Sequence, residues 1–286
     1  MHSDSEAIRT ASGSGRWFPG DPVELERVVG QCVDSADVSG LSRPILGATV
    51  PHAGYVYSGP IAGYTYRALR DAAEAGHVPD VVVVLGFCHR GGFKGLALMD
   101  GRAIETPLGQ VALASSLGDY LAEGNGVIRF DYGPHVGEHS AENQIPFLQS
   151  VLPGTPLIVG LMGDRSPATL GTVVERLAAL RQRYRVCILA STDLLHDPDY
   201  DRVVSADDMT VAQMAALDDE GLLGRWRPDH QVCCGIGPVI VTLRDAVKAG
   251  CPGGVVLCSR NSGDEFPESR GQWVVGYASV VFPAAE

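Results

Sequence analysis

The chain has 286 residues, 45% of them hydrophobic and 20% charged, which is typical of a globular protein long enough to bury a full core. Its formal net charge is −12, from 22 basic and 34 acidic residues, and this balance argues against a nucleic-acid partner, which needs a clustered excess of lysine and arginine. Because no apolar run approaches the roughly 18 residues that cross a bilayer, no membrane partner is expected either.

The first fifteen residues are rich in serine and glycine, and we predict a mobile tail over residues 1–15 followed by one α/β domain over residues 16–286. The start of the chain has neither the basic region nor the apolar core of a secretory signal. The seven cysteines are irregularly spaced, which is typical of a reducing compartment and not of a disulfide framework. A cytoplasmic location is therefore expected.

The predicted elements alternate between helices and apolar strands. Asp21 and Pro22 are suited to begin a first helix, Ile45 to Val50 is typical of a buried strand, and Pro60 favours the first turn of the next helix. Further strands are predicted in DVVVVLGF, PLIVGLMG, YRVCILAS, GGVVLCS and QWVVGYASVVF, and further helices near Ser116 to Glu123, in RSPATLGTVVERLAALRQRY, from Ser205 to Leu223 and in GIGPVIVTLRDAV. This alternation predicts a three-layer α/β fold, a mostly parallel sheet with helices on both faces.

Polar side chains follow several of these strands. His52 and His89 each follow a buried strand, and Asp193 and His196 follow a third. The carboxyl ends of parallel strands form the crevice in which ligands bind, so these side chains should gather at one edge of the sheet. Cys234 precedes a later helix. Imidazole suits zinc, copper and iron, and a thiolate favours softer metals, so the set predicts a transition-metal site.

Another motif, HSAENQIPF, places His139 and Glu142 three residues apart. The two side chains would share one face if the backbone there were helical. Pro146 instead favours a loop over residues 139–144 and a helix that begins near the proline.

These residues bring the chain close to a known family, because it resembles the MEMO proteins, component B of the AmmeMemoRadiSam set. The matching segments are SGSGRWFPGDPVEL, VPHAGYVYSGPIAGYTY, VLGFCH, EHSAENQIPFLQ, STDLLHD, CCGIGP and VVGYASV, and they cover most of the chain in order. Members are similar in fold to the class III extradiol dioxygenases, the LigB-like enzymes that bind Fe(II). The resemblance therefore implies a LigB/MEMO-like fold.

The resemblance also implies a set of site residues. The implied metal ligands are His52, His89 and Cys234, and the implied catalytic residues are His196, Asp193, His139 and Glu142. Tyr55, Tyr57, Cys88 and Cys233 are expected to line the substrate pocket. In GFCHR, Phe87 and Cys88 stand where relatives have a turn-forming proline and a polar residue, which implies a more apolar pocket wall. Cys233 lies beside Cys234, so either sulfur could face the metal; we favour Cys234 because it aligns with the family's CG pair.

Three functions follow from this set. The first is a mononuclear non-haem iron oxidoreductase, dioxygenase-like, in which Fe(II) and a small-molecule substrate meet in the cleft and His196 moves a proton. The second is a non-enzymatic protein that binds copper or iron, or a peptide, in the same cleft. The third is a zinc-type hydrolase with Glu142 or His196 as the base. The first is favoured because three ligands leave coordination positions open beside a titratable base.

Overall fold

The structure, a computed structural model, describes residues 6–38 and 40–285. Within these residues the strands are β1 (Ile8–Thr10), β2 (Ile45–Val50), β3 (Val81–Phe87), β4 (Leu96–Leu98), β5 (Ala103–Thr106), β6 (Gly109–Ala112), β7 (Ile128–Phe130), β8 (Leu157–Met162), β9 (Val186–Ser191), β10 (His196–Asp197), β11 (Val255–Asn261) and β12 (Val274–Pro283). The helices are α1 (Pro22–Asp34), α2 (Tyr55–Glu74), α3 (Ser115–Ala122), α4 (Ile145–Val151), α5 (Pro167–Arg181), α6 (Tyr200–Ala215), α7 (Asp219–Arg225), α8 (Ile236–Lys248) and α9 (Ser262–Glu265). In this part of the chain, none of the helices combines the length and the apolar character that crossing a lipid bilayer requires.

Nine strands form one sheet in the order β10-β12-β2-β9-β3-β8-β4-β7, with β11 also paired to β12. The central strands β2, β9, β3 and β8 are parallel, whereas β12 and β4 run antiparallel to the strands beside them, β2 and β8. The predicted mostly parallel α/β sheet is confirmed. Its parallel core places the carboxyl ends of β2, β3 and β9 at one edge, where the crevice of such a sheet lies.

Helices cover both faces of this sheet, as the side chains of β3 show. Val82 and Val84 pack in one apolar cluster with residues of α1, α2 and α4. Val81, Val83 and Leu85 point the other way, into a second cluster with residues of α5 and α8. Successive side chains of a strand alternate between its faces, so an unbroken apolar run such as β3 requires a core on each side.

Two predicted helix boundaries were wrong. Helix α2 begins at Tyr55, five residues before Pro60, so the proline lies inside the helix, where it removes one backbone hydrogen bond near the start. The helix predicted from Ser205 to Leu223 is two helices, because the chain turns at Leu217, whose φ of 57° lies in the left-handed region.

Residues 6–15 are not the mobile tail that their composition predicted, and residues 1–5 lie outside the described residues. Strand β1 pairs in parallel with β5, and the N–H of Ala11 continues the pairing by donating to the carbonyl of Glu105 at 2.9 Å. Ser12 and Gly13 then donate to the buried carboxylate of Glu142. A Gly- and Ser-rich composition does not reveal these long-range bonds.

Helices α1 and α2 approach so closely that Gly63 has no room for a side chain. A Cβ atom there would clash with the carbonyl oxygen of Cys32, whereas one at Gly171, a helical glycine of α5, would meet nothing within 4 Å. We expect Gly63→Ala to lower the free energy of unfolding by roughly 1–3 kcal/mol through overpacking. Gly171→Ala should raise it by up to about 1 kcal/mol, because alanine favours the helix. Urea unfolding of both variants checks this, and equal midpoints would contradict the packing argument.

Candidate metal centre

Three histidines meet at the carboxyl edge of the sheet. His52 follows β2, His89 follows β3, and His139 comes from the loop that leads through a short 3₁₀ turn, Glu142–Gln144, into α4. One ring nitrogen of each lies within 4.8 Å of the others, a spacing that could hold a metal ion. His139 was predicted as a catalytic residue, but the structure places it as the third member of this cluster.

The hydrogen bonds of Ser191 define which nitrogen of His52 is protonated. The Ser191 hydroxyl donates its proton to the carbonyl of Ser140 and accepts a hydrogen bond from Nε2 of Gln144 at 2.7 Å. With its proton used, the hydroxyl can only accept from Nδ1 of His52, which lies 3.0 Å away. The lone pair of neutral His52 is therefore on Nε2.

Glu138 orients the ring of His89 in the same way and lies beside the ring of His139. Its Oε1 lies 2.9 Å from Nδ1 of His89 and 3.4 Å from Nδ1 of His139. An ionised carboxylate only accepts hydrogen bonds, so Nδ1 of His89 donates to it, whereas Nδ1 of His139 approaches it only at ion-pair distance. A histidine that ligates a metal usually donates its second nitrogen to a carboxylate or a similar acceptor.

Glu138 was not among the predicted site residues, yet it is buried and accepts hydrogen bonds from four donors of the described residues. Its carboxylate also accepts from the backbone N–H groups of His89 at 2.7 Å, and of His139 and Ser140 at 2.9 Å each. Burial alone would raise the pKa of this carboxyl, but the hydrogen bond from His89 and the backbone donors hold it well below its usual range. The sequence signal was an acidic residue directly before a histidine in the EHS motif.

Burial also keeps the imidazoles of His52 and His139 neutral. It lowers the pKa of His52 to about 3, with a further contribution from the nearby His89, and it lowers the pKa of His139 to about 3, with further contributions from His52 and His89. At neutral pH these rings therefore carry lone pairs and no proton has to be displaced before a metal binds.

Cys234 lies beside this cluster. Its Sγ is 3.4 Å from Nε2 of His52, and it accepts a hydrogen bond from the N–H of Asp193 at 3.1 Å. Among the described residues, however, the group that satisfies the metal spacing contains the three histidines without this sulfur. Burial, followed by the charge of Asp193, raises the pKa of the thiol well above its usual value, so ligation by Cys234 would need the metal itself to displace the proton.

Cys233 does not lie where it was predicted. The side chain of Cys233 is fully buried in an apolar cluster, and burial raises the pKa of its thiol to about 12, so its assignment to the substrate pocket was wrong. Cys88 lines a separate cavity of about 310 Å³, together with His89 and Cys234. The sulfur beside the histidines is thus that of Cys234.

The three histidines open into a cleft of about 1070 Å³, which Asp193 and His196 also line. Aromatic side chains form much of its wall: Trp17, Phe18, Tyr55, Tyr57, Phe266, Trp273 and Tyr277. The hydroxyl of Tyr55 donates to the carbonyl of Asn143 at 2.6 Å, whereas Tyr57 is 45% exposed. The cleft therefore joins a polar floor to an apolar entrance.

His196 lines this cleft and has one ring nitrogen that is not used in a hydrogen bond within the described part of the chain. Its Nε2 is buried and has no hydrogen-bond partner among the described residues. Burial lowers the pKa of His196, and the charge of Asp193 opposes that shift. Asp193 itself is held by the backbone N–H groups of His52 and Ala53, at 2.8 and 3.3 Å.

Glu142 does not line the cleft, although it was predicted as a catalytic residue. Its Oε2 accepts from the N–H and the hydroxyl of Ser12, at 2.7 and 2.8 Å, and from the N–H of Gly13 at 3.3 Å. Burial raises the pKa of Glu142 to about 7, against the effect of these hydrogen bonds. The carboxyl group holds the N-terminal segment against the domain.

Comparison with known proteins gives a consistent result. A family model described as Memo-like protein matches residues 9–281. A MEMO1 family protein of Methanopyrus kandleri is 32% identical over 285 residues, which cover 96% of this chain and 98% of that protein. Another from Methanothermobacter thermautotrophicus is 31% identical over 283 residues, with 96% and 99% covered. The crystal structure of an uncharacterized protein from Escherichia coli K12 superposes with a TM-score of 0.50 at 15% identity, covering 83% of this chain and 99% of that one, a likeness of fold.

If the three Nε2 atoms hold one metal ion, then His52→Ala, His89→Ala and His139→Ala should each weaken cobalt or zinc binding at least about tenfold, because each removes one of three ligands. His77→Ala is the matched control, since His77 is exposed and outside the cluster. Isothermal titration gives the affinities, and circular dichroism shows that the variants are folded. In the same series, a thiolate absorption band of bound cobalt that disappears in Cys234→Ser would identify the sulfur as a fourth ligand. Unchanged affinity in all three histidine variants would place the site elsewhere.

Glu138→Gln tests the role of the carboxylate behind the ligands. The amide has only one acceptor oxygen, and its NH₂ group would face backbone N–H donors, so the ring of His89 should lose its fixed orientation. We expect metal affinity to fall about 10- to 100-fold. The exposed Glu123→Gln provides the control. An affinity equal to that of the control would mean that Glu138 does not orient the ligands.

Proposed function

The chain belongs to the Memo family, and from this premise we propose that its cleft is the active site of an Fe(II)-dependent, dioxygenase-like oxidoreductase that acts on a small molecule. One observation carries the proposal: one ring nitrogen of each of three histidines lies within 4.8 Å of the others, at residues that line a large cleft. Ring nitrogens with carboxylate or hydroxyl partners behind them are suited to a divalent transition metal.

The donor set fits such a metal and leaves room for a substrate. Three protein nitrogens do not complete the coordination sphere of iron, and the cleft of about 1070 Å³ gives small molecules access to the remaining positions. Bound there, the metal would supply redox chemistry and a Lewis acid. Ligation by Cys234, whose sulfur is 3.4 Å from Nε2 of His52, is part of this proposal.

His196 is the side chain that we assign to proton transfer. Its Nε2 is buried, faces no protein partner and belongs to a ring that lines the cleft with the three histidines. A neutral imidazole in this position can take the proton of a substrate hydroxyl, and the carboxylate of Asp193 would stabilise the resulting cation. Glu142 has no part in this step, because its carboxyl group is bound by Ser12 and Gly13.

A zinc-type hydrolase is the second candidate, favoured by the all-imidazole cluster, since three histidines with an open fourth position also form catalytic zinc sites. Glu142 is unsuited to be its base, so His196 would serve there too. Non-enzymatic binding of metal or peptide is less well supported, because a storage site gains from a closed coordination sphere and does not need an unpartnered imidazole beside it.

Nitric oxide, a surrogate for O₂, distinguishes these functions. Protein loaded with Fe(II) in the absence of oxygen should give an iron–nitrosyl electron paramagnetic resonance signal that shifts when a small phenol is added. His196→Ala should keep the iron and the signal, yet lose most of the shift or of the turnover. If the bound iron does not bind nitric oxide, the oxidoreductase proposal is rejected and metal storage is favoured. Activity with zinc alone, independent of oxygen, would favour hydrolysis.

A further inference from the structure

The N-terminal loop of residues 12–18, which we call the cleft loop, is fixed above the histidines. Glu142 binds its first two residues, and within the loop the N–H of Trp17 donates to the carbonyl of Gly13 at 2.8 Å. The carbonyl of Trp17 in turn accepts from the N–H of Tyr55, the first residue of α2, at 2.9 Å. The loop is therefore held at both ends and in the middle, and its side chains are fixed parts of the cleft.

The cleft loop brings a cation close to the metal cluster. The indole of Trp17 stacks on the ring of His139, with centroids 3.8 Å apart and an interplanar angle of 5°. The guanidinium of Arg16 lies 5.7 Å from the centre of the same indole. Arg16 is thus separated from the candidate metal ligands by a single aromatic ring, and it lines the same cleft.

Arg16 differs from the other charged groups of the cleft because nothing in the described part of the chain pairs with its charge. Arg27, the other arginine on the wall, is bound by Glu24 at 2.6 Å. Asp193 accepts two backbone hydrogen bonds. An unpaired guanidinium in a cleft can donate two parallel hydrogen bonds to the two oxygens of a carboxylate. Its local positive charge attracts anions although the whole chain carries a net charge of −12.

Several aromatic side chains that line the same cleft are partly exposed. Trp273 is 56% exposed and Tyr57 is 45% exposed, although both line the cleft. Phe266 packs edge-on against Tyr57 with centroids 5.1 Å apart. Large rings left accessible in a concave site are suited to stacking on a flat apolar ligand.

We propose that the cleft binds an aromatic carboxylic acid, whose carboxylate pairs with Arg16 and whose ring lies among the aromatic side chains of the entrance. The proposal rests on the proposed function for what happens to that acid at the metal, but the recognition itself depends only on the cleft. Arg16 is then the residue that selects acidic over neutral aromatic substrates.

The test compares 2-naphthoate with 2-naphthamide, which have nearly the same shape and differ in charge. Fluorescence titration of the full-length protein, as purified and after metal removal with a chelator, measures both affinities. Naphthoate should bind at least about tenfold more tightly than the amide, and this preference should weaken as salt screens the ion pair. Arg16→Gln should abolish the preference, and Arg27→Gln, the matched control, should keep it.

Equal affinity for the two probes, or a preference for naphthoate that survives Arg16→Gln, would overturn the proposal. The proposal would also fail if Arg27→Gln lost the preference for naphthoate as completely as Arg16→Gln. Because metal-depleted protein is included, the result does not depend on iron chemistry. If naphthoate binds through Arg16 but the Fe(II)-loaded protein does not bind nitric oxide, the proposed oxidoreductase function is rejected and the recognition site is supported. If nitric oxide binds but the probes are not distinguished, only the recognition site fails.

Discussion

The buried carboxylate of Glu138 is the group on which the geometry of the site depends. A carboxylate removed from water is costly unless donors surround it, and here Nδ1 of His89 and three backbone N–H groups do so. These donors come from two segments, the residues that follow β3 and the loop that follows residue 138. Satisfying one charge therefore brings the segments of His89 and His139 together and orients the ring of His89.

The segments can approach because the second-last residue of β3 is a glycine, Gly86. A Cβ atom on Gly86 would lie 2.5 Å from Oγ of Ser140 and 2.9 Å from the N–H nitrogen of Ala141. Because Gly86 has no Cβ atom, the hydroxyl of Ser140 can donate to the carbonyl of Phe87 at 2.7 Å and accept from the N–H of Phe87 at 3.2 Å. Ser140 also accepts from Ser191, which orients His52. The rings of His52 and His89 are thus connected through one hydrogen-bonded network that includes Glu138.

Much of the fold could be predicted from the sequence because its signals are local. The apolar runs of β2, β3 and β9 and the Asp21 cap of α1 are encoded in a few consecutive residues, and so is the position of His52 and His89 at strand ends. The places of His139, Glu138 and Trp17 depend on loops whose partners lie 50 to 130 residues away along the chain. Cys233 and Cys234 are adjacent in sequence, and only packing decides that one enters the core while the other faces His52.

Glu138 and Glu142 are four residues apart, both are buried, and their environments push their pKa values in opposite directions. The partners of Glu138 include imidazoles and hold its pKa low, whereas Glu142 binds only the neutral N–H and O–H groups of Ser12 and Gly13, and burial raises its pKa to about 7. The carboxylate of Glu138 is therefore charged where it contacts the candidate ligands. The carboxyl group of Glu142, which is easily protonated, binds the cleft loop. Because that loop stacks Trp17 on His139, the same short segment forms part of the cleft wall and contacts the histidine cluster, so we expect a change in the loop to alter the position of His139.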